Sequence, residues 1–214
     1  MENRGLIPFG IVNGEVRIHD FYHARLFYTD VELKDWGINR DTLGLLKLQT
    51  DWDIEANMLR IDVKNELDSK TPLSLSGLYE PDKNSIRLHA LMKEIEMKKL
   101  SPFLPGILQE GKGRFSGEMD IQFNDEDISA NGFIDMEDIS LRIDEINTVY
   151  TLQNHIEISD NKIILDRLGI QDPAGKTAGI SGYYDIVKGK YDIGIDLNNF
   201  LALKSTQPSE DLLY

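Results

Sequence analysis

The chain contains no cysteine. That absence excludes disulfide staples, thiol nucleophiles and cysteine-built metal centres, and it fits an exported protein that avoids unpaired thiols as well as a cytosolic one. No uninterrupted apolar run reaches the roughly 18 residues that a bilayer-spanning helix requires. The opening residues, Met1 to Gly10, lack the basic stretch and apolar stretch of a secretory leader. Cations are also scarce, with 23 Lys and Arg against 37 Asp and Glu and a net charge of -14. Nucleic acid and bare anionic membrane both need clustered Lys and Arg, so neither is an expected partner. The acidity is not gathered into blocks and reads as solvated faces.

Catalytic signatures are missing too. There are 4 histidines, no Gly-x-Ser-x-Gly elbow, and no nucleophile beside a credible base. His19 and His23 bracket Asp20 at a spacing that would share one helical face, as some zinc sites require. Their neighbours Val16, Ile18, Phe21, Tyr22 and Phe27 read as strand, and no third ligand is evident. Gly169 to Thr177 looks superficially like a phosphate loop, but its glycines are wrongly spaced and a strand follows, so a polar hairpin turn is expected. Asp125, Glu126 and Asp127 lack the glycine-turned loop of a calcium site and read as a solvated turn. Trp36 and Trp52 would suit a carbohydrate platform, yet no carboxylate pair accompanies them. The chain therefore reads as a non-enzymatic protein without cofactor or metal.

What is present is repetition. The stretch from Ile54 (I-E-A-N-M-L-R-I-D) resembles that from Ile158 (I-S-D-N-K-I-I-L-D), aligning Ile54 with Ile158, Asn57 with Asn161 and Asp62 with Asp166. After one inserted residue, Ser76, Gly77 and Tyr79 align with Ser181, Gly182 and Tyr184. Repeats on this scale signify stacked or laddered units. The expected organisation is a first β unit over 1–100, a connector over 101–110 and a second β unit over 111–214. The connector, S-P-F-L-P-G-I-L-Q-E, has Ser101 as N-cap and Pro102 at the first helical position, predicting a short apolar helix.

Apolar and polar residues alternate with a period of two. Phe115, Gly117, Met119, Ile121 and Phe123 share one side, as do Ile128, Ala130, Gly132, Ile134 and Met136. Ile139, Leu141 and Ile143 continue the pattern, followed by Ile156 and Ile158, and by Tyr191, Ile193, Ile195 and Leu197. Leu46, Leu48, Thr50, Trp52 and Ile54, then Leu59, Ile61 and Val63, do the same earlier in the chain. This predicts strands with one apolar and one wet face, joined by turns at 124–127, 159–161, 172–175 and 188–189. Two arrangements satisfy it: a sandwich closing two apolar faces together, or one long sheet curled into an apolar groove.

The run from Asn147 to Gly182 resembles the C-terminal region of the TamB family of AsmA-like bacterial envelope proteins. Tyr150, Leu152, Ile156, Ile158, Asn161, Ile163 and Leu165 match its Y-x-L-x-x-x-I-x-I-x-x-N-x-I-x-L run. Asp172, Gly175 and Gly182 match the turn and the strand that follow it. Leu100 to Ile121 resembles the short apolar helix and Gly-x-x-x-Gly of that family. The resemblance covers about 91–206 and implies a fragment of a longer periplasmic protein, anchored in the inner membrane by a helix outside this sequence. The implied fold is mainly β: an elongated, curled antiparallel sheet, a U-shaped β-taco with an apolar interior. The implied partners are phospholipid acyl chains and an outer-membrane protein of the TamA or BamA type. Lipid-binding residues expected on that basis are Met119, Ile121, Phe123, Ile134, Met136, Leu141, Ile143, Ile156, Ile158, Ile163, Leu165, Ile193 and Ile195. The alternative is a β-scaffold with a closed core that recognises its partner by edge-strand pairing.

Overall fold

The computed structural model describes residues 7–19, 26–39, 41–68, 70–99, 111–125, 127–143 and 148–201. They form β1 (Pro8–His19), β2 (Leu26–Ile38), β3 (Asp41–Asp53), β4 (Met58–Leu67), β5 (Lys70–Glu80) and β6 (Ser85–Glu96). After these come β7 (Lys112–Phe123), β8 (Ile128–Ile143), β9 (Thr148–Ser159), β10 (Lys162–Gln171), β11 (Thr177–Asp185) and β12 (Lys190–Asp196). All twelve belong to one sheet whose spatial order is the sequence order, and every pairing is antiparallel. Short 3₁₀ turns follow β5 at Pro81–Lys83 and β6 at 97–99, and no α-helix occurs among the described residues.

The mainly β, antiparallel expectation therefore holds. The short helix expected over 101–110 lies outside the described residues. The strong curl is not found. Substantial contacts join only hydrogen-bonded neighbours, leaving β1 and β12 as two separate edges of an open sheet. Short turns pair each strand with its sequence neighbour, and nothing described brings distant strands face to face.

Register turns the alternation into rows that cross the whole sheet. Val31, Leu48, Val63, Leu75, Ala90 and Met119 stand opposite one another from β2 to β7. The row continues through Gly132, Ile158, Ile163 and Tyr184 to Tyr191. Each good cross-strand pair contributes about 0.2–1 kcal/mol, so stability is distributed over the rows. The opposite face carries charge, including the Lys47–Glu66 pair at 2.8 Å and the Arg60–Asp53 pair at 2.6 Å.

In four strands the apolar series takes a three-residue step, from Leu33 to Trp36, Met92 to Ile95, Met136 to Ile139 and Leu165 to Leu168. A regular strand would send everything beyond such a step to the polar face. Each step instead coincides with a register shift. One left-handed residue sits inside each bulge: Asp35 (φ 49), Glu94 (φ 47), Asp138 (φ 49) and Arg167 (φ 52). The extra residue restores the parity, so Ile139 and Leu141 return to the face that holds Met136.

The repeat is structural as well as sequential. Leu59 pairs with Tyr79 as Ile163 pairs with Tyr184, and Ile61 pairs with Gly77 as Leu165 pairs with Gly182. The two turns that follow match closely. Glu80 is salt-bridged to Lys83 and Asp185 to Lys188, and left-handed Asn84 and Gly189 close the turns. A similar offset relates β1–β2 to β7–β8: Gly14 faces Val31 as Gly117 faces Ile134, and the bulge residue Asp35 corresponds to Asp138. Six strands thus form one unit, β1–β6, and six the next, β7–β12. The Ile54–Ile158 match does not survive. Ile54 stands 72% exposed in the turn after β3, whereas Ile158 is buried in β9. The two hairpins differ in turn length, so only their β4 and β10 sides align.

The tightest packing lies at one end of the second unit. Ile139 is only 1% exposed, and Phe115, Tyr150, Leu168 and Ala178 are buried near it. The chain after β12 turns back over this end, where Phe200 stacks on Tyr150 at 5.5 Å and the Tyr150 hydroxyl donates to the Leu201 carbonyl at 3.3 Å. Asn161 braces the β9–β10 turn against β8: its Nδ2 donates to the Ile128 carbonyl and its Oδ1 accepts from the Ala130 N–H, both at 2.6 Å.

The bulge at Asp138 offers a direct test. Deleting this residue turns Ile139 and Leu141 to the polar face and should abolish cooperative unfolding. Asp138→Gly, which relieves the left-handed strain, should raise stability by about 1 kcal/mol in chemical denaturation.

Candidate functional site

The apolar face holds the sequence-predicted residues. Met119, Ile121 and Phe123 come from β7, and Ile134, Met136 and Leu141 from β8. β9 supplies Ile156 and Ile158, β10 supplies Ile163 and Leu165, and β12 supplies Ile193 and Ile195. Ile143 pairs with Thr148 at the end of β8, and its side chain lies outside the described residues. Register places these positions on one face, as in the Ile134–Ile156, Ile158–Ile163 and Ile180–Ile195 pairs. They do not form one pocket. Ile158 is buried, most others are half-buried, and Phe123, Ile193 and Ile195 stand 36%, 41% and 58% exposed towards the margins. Among the described residues, no second sheet or helix covers this face.

The lipid-binding residues expected from the sequence all fall in the second unit, whereas the face continues through the first. Leu73 and Leu75 of β5, and Leu88, Ala90 and Met92 of β6, extend the same rows. Their alternation was available in the sequence as the signal.

Near the bulges of β2 and β6 the face ends in a cleft of about 520 Å³. Trp36, Leu43, Leu73 and Ile95 supply its apolar part. The buried Asn65 amide orders the wall, because its Oδ1 accepts from the Trp36 indole at 2.6 Å and its Nδ2 donates to the Leu43 carbonyl at 3.0 Å. Lys70, Lys93, Lys98, Lys99 and Arg114 also line the cleft, with Asp68, Glu94 and Glu96 between them. In a protein of net charge -14, five cations around one apolar cleft form a local reversal of sign.

A second cleft, of about 780 Å³, spans β2 to β8. Pairs of polar-face residues line it, such as Arg60 with Asp62 and Arg87 with His89, with the intervening apolar-face residue between them. His89 Nδ1 lies 2.9 Å from Asp120 Oδ1 and its Nε2 lies 3.9 Å from Glu118 Oε1. These three residues each offer one donor atom, all within 4.8 Å of one another. The β6–β7 register alone brings them together, so sequence spacing gave no sign of them. Of the earlier metal candidates, His19 is an exposed residue of a strand and His23 lies outside the described residues.

Asp172 shows how 172–176 form the turn between β10 and β11, within the segment 169–177. Its Oδ1 accepts from the Ala174 and Lys176 N–H groups and its Oδ2 from the Leu201 N–H, each at 2.8 Å. The Leu201 N–H, with those of Lys176 and Ala174, holds this carboxyl below its ordinary range. Asp185 is lowered by the Lys188 N–H first, and Glu80 by the Lys83 side chain first. Among the described residues, no helix is long and apolar enough to cross a membrane.

Comparison with protein-family models, curated proteins and solved structures yields no match.

The depressed carboxyls fix a sign for acid sensitivity. A carboxyl whose folded pKa is lowered contributes its stabilisation above the unfolded value, about 4, and loses it as pH falls through the folded value. The melting temperature should therefore be level near neutrality and fall below about pH 4. Asp172→Asn presents an amide N–H to the Leu201 N–H, so it should weaken this acid response and speed amide exchange at Leu201.

Proposed function

We propose that the chain is a segment of a bacterial cell-envelope protein whose apolar sheet face carries phospholipid acyl chains between the inner and outer membranes, in support of outer-membrane assembly. The observation that carries this reading is the one-sided face: apolar rows run from β2 to β12 and, apart from the segment after β12 that turns over one end, no strand or α-helix among the described residues covers them. A methylene kept out of water gains about 0.8 kcal/mol, so an acyl chain would bind weakly at many nearly equivalent positions and slide between them. The cation-lined cleft beside Trp36 and Ile95 suits the phosphate end of such a lipid, with the tails along the neighbouring rows. The resemblance to the TamB family gives this reading its cellular setting, the periplasm. The β-taco it implies would need the sheet margins to rise around the cargo; the open sheet admits a lipid from the side.

A second reading has its own support. β1 and β12 are unpaired along their outer margins among the described residues, and both expose large apolar side chains. A scaffold that recognises an outer-membrane partner of the TamA or BamA type by strand addition would use such edges.

Lipid mass spectrometry of the gently purified protein separates the two readings. Ile158 is too buried for a charge there to be informative, so Phe123→Asp and Ile193→Asp are the useful variants. The expected result is co-purified phospholipid in the parent protein and its loss in both variants, with unchanged melting temperatures. A folded parent protein free of lipid would sink the transport reading and favour the scaffold.

A further inference from the structure

The six-strand repeat makes the two edges of this sheet complementary to each other. β12 is the equivalent of β6, and β1 is the equivalent of β7. The turn before β12 reproduces the turn before β6, from the acidic residue at its start (Glu80, Asp185) to the left-handed residue at its end (Asn84, Gly189). β1 and β7 share Gly-x-x-x-Gly-Glu, at Gly10 to Glu15 and at Gly113 to Glu118, and each carries an isoleucine four residues after the second glycine, Ile18 or Ile121. Within the chain, β6 already pairs with β7. Among the described residues, the outer margins of β12 and β1 offer the two halves of that same junction.

We propose that β12 of one copy of this chain pairs antiparallel with β1 of a second copy, in the register of the internal β6–β7 junction. That junction pairs Leu88 with Ile121, Ala90 with Met119 and Met92 with Gly117. Carried to the edges, it sets Ile193 opposite Ile18, Ile195 opposite Val16 and Leu197 opposite Gly14 of the second copy. Five of these six are apolar side chains that solvent now reaches: Ile193 at 41%, Ile195 at 58%, Leu197 at 59%, Val16 at 56% and Ile18 at 51%. Pairing continues the apolar rows unbroken from one copy into the next. On the polar face, Arg17 falls diagonally between Asp192 and Asp196, within reach of both carboxylates. Asp196 falls opposite Glu15, a like-charge pair that holds the association below its maximum. The interface is heterologous, so it leaves a free β1 at one end and a free β12 at the other and builds open chains of copies.

The absence of cysteine makes the register testable without background. Val16→Cys and Ile195→Cys are prepared separately, mixed and oxidised. The expected product is a covalent species of twice the chain mass, formed in the mixture and in neither protein alone. Val16→Cys mixed with Tyr191→Cys, four residues out of register, should give none. Asp196→Lys should shift the unlabelled protein towards larger species in light scattering. A monomer at all concentrations with no cross-linked product overturns the proposal. So does equal cross-linking in both mixtures, or dimerisation of Val16→Cys with itself. None of these outcomes depends on lipid, so this proposal and the transport reading fail separately.

Discussion

Everything in this sheet depends on the two-residue period of a β-strand. Side chains alternate between faces, so a strand keeps its apolar residues together only if its sequence never loses count. Four strands here do lose count, and each is rescued at the same place by one residue in the left-handed region. Without those bulges, Trp36, Ile95, Ile139 and Leu168 would leave the apolar face, and the rows would end halfway along the strands. The local cost of a left-handed non-glycine residue, about 1–2 kcal/mol, is offset by the cross-strand pairs that the bulge preserves. Ser116 eases one such site by accepting the Glu94 N–H at 2.9 Å.

The same constraint shapes what the molecule can do. A single layer has two faces of opposite character, and this one separates them along twelve strands. The apolar face offers length without a deep pocket, which suits a mobile hydrocarbon chain better than a rigid ligand. Five cations gather where the rows end, beside Trp36 and Ile95. The polar face carries its own cross-strand charges, from Lys47–Glu66 to His155–Asp135 at 2.6 Å, where the imidazole also stacks on Phe133. These charges keep that side wetted, so a lipid carried as proposed would lie on the other.

Repetition adds the second consequence. A unit of six strands that ends on an edge fitting its own beginning can be extended within a chain or between chains. The internal junction between β6 and β7 shows that the fit is physically realised. The outer edges carry neither proline nor lysine along their middle stretches, Asn13–Ile18 and Tyr191–Asp196, and those are the common devices for blunting an exposed strand.

The sequence by itself determined the strands, their faces and most of the turns, because alternation and turn chemistry are local properties. Met119, Ile121 and Phe123 could be assigned to one side from their spacing alone, and Asp172 to Gly175 could be recognised as a turn. It also showed the repeat in β4–β5 and β10–β11, although its alignment of Ile54 with Ile158 failed where the two turns differ in length. Tertiary structure decided the rest. Sandwich and single sheet give the same alternation, and only pairing partners distinguish them. The His89, Glu118 and Asp120 cluster and the cation-lined cleft depend on cross-strand register, which joins residues far apart in the chain. The bulges appeared in the sequence as breaks between apolar series. That each break returns the chain to the same face became visible only in the backbone, because a left-handed residue can restore a parity that spacing alone says is lost.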